Sequence, residues 1–180
     1  MFSPDVRLSQ ISMIEQDYEK MMVYKARAFF QQAQRKGMVR RIFAALTGRS
    51  NRLMDLSTLE SQGHAYSQHY AGIRTVSISK IQGSEGRTKD FDRNFNPLSG
   101  RSLDRFTSIF VARQQDVPLP PVDLIQVGDV YFVRDGHHRL SVARAVGATE
   151  VDAEVTEFRL ANCASGNRVN DCFCLEAQAA

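Results

Sequence analysis

Residues 121–147 read PVDLIQVGDVYFVRDGHHRLSVARAVG, and their order of signals decides the fold. Residues 122–127 and 130–133 are short runs rich in β-branched and aromatic side chains, joined by Gly128-Asp129, a pair suited to a tight hairpin. Asp135-Gly136-His137-His138 then turns the chain into a helix over residues 139–146, whose end is marked by Gly147. A further strand over residues 151–155 follows. Strand, hairpin, strand, turn, helix and strand in this spacing predict an α/β (α+β) domain with a small mixed sheet flanked by helices.

Upstream, residues 73–78 favour a strand, and the core is expected to begin there. Residues 82–100 hold Gly83, Gly86, Pro97 and Gly100 and interleave charges with Phe91 and Phe95, which predicts a long ordered loop with a short helical turn. Residues 102–115 fit a helix burying Leu103, Phe106, Ile109 and Phe110, ended by the run Pro118-Leu119-Pro120-Pro121. Residues 9–34 place Ile14, Tyr18, Met21, Met22, Lys25 and Phe29 on one face of an amphipathic helix. Gly37 is expected to break it, with a second helix over residues 38–46 carrying Val39, Ile42, Phe43 and Leu46, so that the pair forms an N-terminal helical hairpin. Residues 51–57 read as a connection, Ser57 as the cap of a short helix with Glu60, and His64 and His69 as helix-surface residues. The expected organisation is a basic hairpin over residues 1–56, the α/β domain over 57–160 and a tail over 161–180.

A chain of 180 residues, 43% hydrophobic and 24% charged, supports one core with an appendage. No secretory signal or spanning run is written in it, which points to the cytoplasm. Cys163, Cys172 and Cys174 make an odd number confined to the tail, which does not suit a disulfide framework. Their Cys-x-Cys spacing without a nearby His also does not suit a structural zinc site. The net charge of +3 is mild but uneven. Residues 20–52 carry Lys20, Lys25, Arg27, Arg35, Lys36, Arg40, Arg41, Arg49 and Arg52 with no acidic residue. Such a segment suits nucleic acid or an anionic surface, and better still a solvated helix face, since no helix-turn-helix or aromatic-interleaved signature accompanies it.

The turn at residues 135–138 carries the chemistry. A strand feeding directly into a helix leaves backbone N–H groups free where the helix dipole is positive, which favours an anion. Gly136 lets backbone approach a phosphate, Arg139 supplies a forked cation, Ser141 a hydroxyl, and His137 and His138 donors that titrate near neutral pH. Asp135 equally suits a helix cap, and Arg87 an ordinary loop charge.

In order and spacing, residues 121–147 resemble the second conserved box of the ParB/sulfiredoxin superfamily, and residues 76–97 resemble its first, with Ser84, Glu85 and Arg87 inside it. The resemblance spans residues 123–157 and excludes the N-terminal helices. It implies a ParB/sulfiredoxin-like nucleotide-binding domain that holds phosphate through Gly136, His137, His138, Arg139, Ser141, Arg87 and Ser84. His137 stands where sulfiredoxins carry their reactive cysteine, so sulfinic acid repair is not implied. Arg139 stands alone where ParB partition proteins have paired arginines, so a complete CTP-dependent clamp is not implied either. Asp-Gly-His-x-Arg is similar to the turn of the superfamily's free-serine kinases. The resemblance therefore implies an enzyme that hydrolyses a nucleotide or transfers phosphate to a small acceptor, with ATP, ADP or CTP as partner and Mg²⁺ accompanying it. Asp135 and Glu85 are the candidate catalytic carboxylates, with Asp90 a further contact. The alternative is a non-catalytic DNA-binding or adaptor module that keeps the fold.

Overall fold

A computed structural model describes residues 4–48, 50–61 and 66–160. His64, Cys163, Cys172, Cys174 and the tail over 161–180 lie outside the described residues, as does the side chain of Glu60. The elements are α1 (Pro4–Thr47), β1 (Met54–Asp55), α2 (Leu56–Ser61), β2 (Tyr66–Ser77), β3 (Ile81–Ser84), α3 (Leu103–Gln114), β4 (Val122–Val127), β5 (Val130–Asp135), α4 (His137–Ala145) and β6 (Glu150–Leu160). The strands form one six-stranded sheet in the order β1-β3-β5-β4-β6-β2. β1/β3, β3/β5 and β4/β6 pair in parallel, while β4/β5 and β2/β6 are antiparallel. A mixed sheet flanked by helices is the α+β class expected.

Both faces of the sheet centre are covered, which is why Leu124 and Ile125, neighbours pointing to opposite faces, are both fully buried. One face packs Leu124, Val133 and Val155 against Leu140 and Ala143 of α4. The other joins Ile125, Phe132 and Phe158 to Leu56 of α2. Behind α4, Val142 meets Phe106 and Phe110 of α3, and these meet Ala26 and Phe30 of α1. Residues from the middle of α1 therefore contribute to this core.

The expected hairpin is a single 44-residue helix. Gly37 does not break it, because the glycine serves close approach: a Cβ there would lie 3.2 Å from Asn96 Cβ and 3.4 Å from Asp92 Oδ2. The buried face also differs from expectation. Met22, Ala26, Phe30 and Ala33 are buried, whereas Ile14, Tyr18, Met21, Val39, Ile42, Phe43 and Leu46 are exposed. Small residues let α1 approach α3 while Phe30 inserts edge-on to Phe106, with ring centroids 5.3 Å apart. Of the expected face, Met22 is buried and Phe29 packs partly buried against the core, while Ile14, Tyr18 and Met21 are not part of it.

Residues 51–57 are not a plain connection, since they contain β1. Nor does Ser57 cap α2; Asp55 does, its Oδ1 accepting from Ser57 N at 3.1 Å and Ser57 Oγ at 2.8 Å. His69 lies in β2 opposite Glu157, not on a helix. Among the described residues no helix is long and apolar enough to cross a membrane.

Candidate functional site

β5 ends at Asp135 and α4 starts at His137, so one residue, Gly136, must reverse the backbone. It does so at φ +91°, and its side-chain position is already filled: a Cβ would meet Val122 Cγ1 at 2.8 Å and Arg139 Nε at 2.9 Å. The close approach that Gly136 permits is therefore to the chain's own Arg139. Among the described residues no side chain caps α4, and the first amide to bond back is Leu140 N, to Gly136 O at 2.9 Å. The amides of His137, His138 and Arg139 thus open the helix without an intrahelical partner.

A cavity of about 340 Å³ lies at this helix start, with Arg87, Arg105, Asp135, His138 and Arg139 on its walls and Ile109, Leu119 and Pro120 as its apolar side. Arg139 is mostly buried. Its Nη2 donates to Asp135 Oδ2 at 2.6 Å and its Nη1 to Pro120 O at 2.8 Å. Two of the five N–H groups of the guanidinium expected to grip phosphate thus brace the cleft wall, and Asp135 bonds that guanidinium instead of capping α4. Arg87 and Arg105 are exposed, and among the described residues neither pairs with a carboxylate. They are the cations left available. Arg105 had no local signal in the sequence; it reaches the cleft because α3 packs beside α4.

His137 is buried between Phe91, stacked at 5.8 Å, and Phe95, at 6.3 Å. Burial, reinforced by the positive charge of Arg87, lowers its pKa to about 4. His138 is also shifted down, first by burial and then by Arg105 and Arg87. His137 is therefore neutral at pH 7 and its expected titration near neutrality does not occur, while His138 is shifted in the same direction. Ser84 Oγ lies 2.6 Å from His137 Nε2 and accepts from Arg87 N at 3.2 Å. Its own proton is thus free for Nε2, and the hydroxyl ties the end of β3 to the start of α4. That tie sets where Arg87 emerges.

The remaining expected residues stand off the wall. Ser84 is fully buried and acts through His137. Ser141 is buried, its Oγ without a hydrogen-bond partner among the described residues. Glu85 is held by Arg134 Nε at 3.0 Å. Among the described residues no group of three His, Cys, Asp or Glu side chains is placed to hold a metal ion. The structure adds one carboxyl that the sequence did not mark: Asp123, paired in register with Asp135, has its pKa raised by burial against the opposing pull of Arg134.

Two expected results follow here. His137 binds no proton in the folded state until about pH 4, whereas the unfolded imidazole titrates near 6.5. Its contribution is complete above pH 6.5 and is lost as pH falls from 6.5 through 4, by about 1.4 kcal/mol per pH unit or about 3 kcal/mol in all. Urea unfolding across this range should show a shallower pH slope in His137→Gln; equal slopes would exclude the buried neutral imidazole. Arg139→Ala should lower Tm by about 3–6 °C, corresponding to about 1–2 kcal/mol after allowing for the exposure of Asp135. Asp135→Asn should cost less, because the Pro120 bond survives, and a reversed ranking would contradict the bracing role.

No protein-family model matches the chain, and no curated protein sequence matches it. Among solved structures, the crystal structure of sulfiredoxin from Arabidopsis thaliana is similar over 46% of this chain and 82% of that one, at 20% identity and a TM-score of 0.34. A likeness at that level says nothing of chemistry, which rests on the residues of the cleft.

Proposed function

We propose that the cleft at the start of α4 binds the phosphate groups of a nucleotide, ATP, ADP or CTP, as part of a ParB/sulfiredoxin-like nucleotide-binding domain. One observation carries this reading: Arg87 and Arg105, without carboxylate partners among the described residues, flank an uncapped helix N-terminus. Unpaired guanidinium groups, free amides and the helix dipole all favour the same ligand charge. The imidazole of His138 adds a polar group to the wall, with its pKa shifted down by burial and then by Arg105 and Arg87. A cavity of about 340 Å³ suits the phosphates, with sugar and base lying toward solvent.

Hydrolysis or transfer to a small acceptor would need a carboxylate to orient the attacking oxygen. Asp135 is the acidic side chain on the cleft wall, and Glu85 is engaged elsewhere. Mg²⁺ arriving with the nucleotide fits only if phosphate oxygens and water supply most of its ligands, with Asp135 as the protein contribution. Binding without turnover is the second reading, and the Asp135–Arg139 pair favours it, since a carboxylate engaged by a guanidinium is not free to orient an attacking oxygen. Thermal shift with ATP, ADP, CTP and GTP, with and without Mg²⁺, combined with phosphate-release assays, tests both. Stabilisation with release supports the enzyme, stabilisation alone the binding module, and no stabilisation by any nucleotide would overturn the site.

A further inference from the structure

At the opposite end of α4, about 12 Å along its axis from the cleft, lies a larger cavity of about 680 Å³ between α1, the turn after β2, the loop before α3 and the residues following α4. Lys36, Arg40, Arg93 and Arg144 line it, and among the described residues no Asp or Glu does. Three separate parts of the chain converge to supply these cations, which a merely solvated helix face does not explain. On α1 itself Lys36 and Arg40 are four residues apart, an arrangement of like charges that weakens a helix. Neither has an acidic residue three or four positions away to offset it: Lys36 is flanked at that spacing by Gln32, Ala33, Val39 and Arg40, and Arg40 by Lys36, Gly37, Phe43 and Ala44.

Arg144 is a fixed member of the set. Its Nη2 donates to Ile78 O at 2.7 Å and Ile81 O at 3.2 Å, its Nη1 to Asn94 Oδ1 at 3.2 Å, and its guanidinium lies 5.4 Å from the Phe95 ring centre. All these acceptors are neutral, so the positive charge is held in place without being cancelled; its Nε is buried with no partner among the described residues. The carboxylate of Asp92 acts on Arg144 through space, but it is buried and its oxygens accept from the amides of Asn94 and Asn96 and from Asn96 Nδ2. Asp92 shapes the loop instead of lining the cavity. The side-chain amide of Gln82 on the wall adds donors that suit phosphate oxygens, whereas that of Asn96 is held by Asp92.

We propose that this cavity is a second anion site, shaped for a small compound carrying two or more phosphate groups. The concave form and a volume within the usual range for small-molecule sites, about 300–1,000 Å³, favour such a ligand over a polymer laid along α1. It is independent of the nucleotide reading of the other cleft, whose cations are Arg87 and Arg105.

The test is calorimetric titration of the full chain with tripolyphosphate, pyrophosphate and orthophosphate, comparing wild type, Lys36→Ala/Arg40→Ala and Arg87→Ala/Arg105→Ala. Lys36 and Arg40 are exposed helix positions where alanine keeps the helix, and an unchanged Tm of the first variant verifies this. The expected result is a tripolyphosphate-binding event that weakens at least tenfold in Lys36→Ala/Arg40→Ala, persists in Arg87→Ala/Arg105→Ala, and declines from tripolyphosphate to orthophosphate. No binding at all, or binding indifferent to Lys36 and Arg40, overturns the proposal. So does affinity for a single-stranded oligonucleotide that rises with its length and exceeds that for tripolyphosphate, which would assign these cations to nucleic acid.

Discussion

Gly83→Ala is expected to destabilise the protein by about 3 kcal/mol or more and to lower Tm by about 6–12 °C. β3 lies between β1 and β5, and the missing side chain of Gly83 is what lets the Phe132 ring of β5 lie across it. A Cβ would stand 2.1 Å from Phe132 Cδ1, 2.4 Å from Cε1 and 2.9 Å from Met54 O. None of the three can yield cheaply. Phe132 is fully buried among Leu56, Ile125 and Phe158, so its ring has no free rotamer to adopt, and Met54 O belongs to the backbone of β1. Relief must come from moving a strand or the ring, which disrupts the cluster under the sheet. Gly100→Ala is the control, because nothing lies within 4 Å of its Cβ and its φ is ordinary; it should change stability by no more than about 0.5 kcal/mol. Thermal unfolding of both variants decides the matter. Phe132→Leu should partly rescue Gly83→Ala, a coupling that general strand weakening by alanine would not produce. Equal Tm values for Gly83→Ala and Gly100→Ala would show that the ring does not depend on the glycine.

The same glycine explains part of what the sequence did not reveal. From β4 through α4 to β6 the reading was local: Gly128-Asp129 made the hairpin, Gly136 turned the chain and Gly147 ended the helix, each signal lying within a few residues of its effect. Gly83 looked like one more loop glycine, and β3 was absorbed into a long loop. It is a strand glycine selected by Phe132, which is 49 positions away in the chain, so no local pattern could declare it. Gly37 misled in the same way, since its neighbours Asp92 and Asn96 are distant in sequence. The two-residue strand β1 exists only because β3 offers it partners. For the site, the turn was legible and the division of labour within it was not. Arg139 read as the phosphate ligand because it follows the glycine, yet its Nη atoms face Asp135 and Pro120. Arg105 lies before that turn in the chain and joins it only through the packing of α3 on α4.

Replacing both Arg87 and Arg105 by alanine should then weaken nucleoside triphosphate binding by about 10²-fold, with each single change contributing about tenfold. Both side chains are exposed and without ion-pair partners among the described residues, so Tm should stay within about 2 °C of wild type. That combination distinguishes the pair from Arg139, whose loss is expected to appear as instability. Affinity should fall with salt in the wild type and less steeply in the double variant, because fewer screened contacts remain. Arg87→Lys should recover part of the loss, since an ammonium keeps the charge but lacks the fork that grips two oxygens. A second readout needs no ligand. The charge of Arg87 helps to hold the His137 pKa down at about 4, so Arg87→Ala should raise it, observable as an imidazole titration moved to higher pH by NMR. A raised His137 pKa with undiminished nucleotide affinity would place Arg87 at the cleft and deny it the ligand. Undiminished affinity in the double variant would remove the phosphate-binding role of the cleft altogether, because the amides of α4 alone, facing water, would not account for a bound triphosphate.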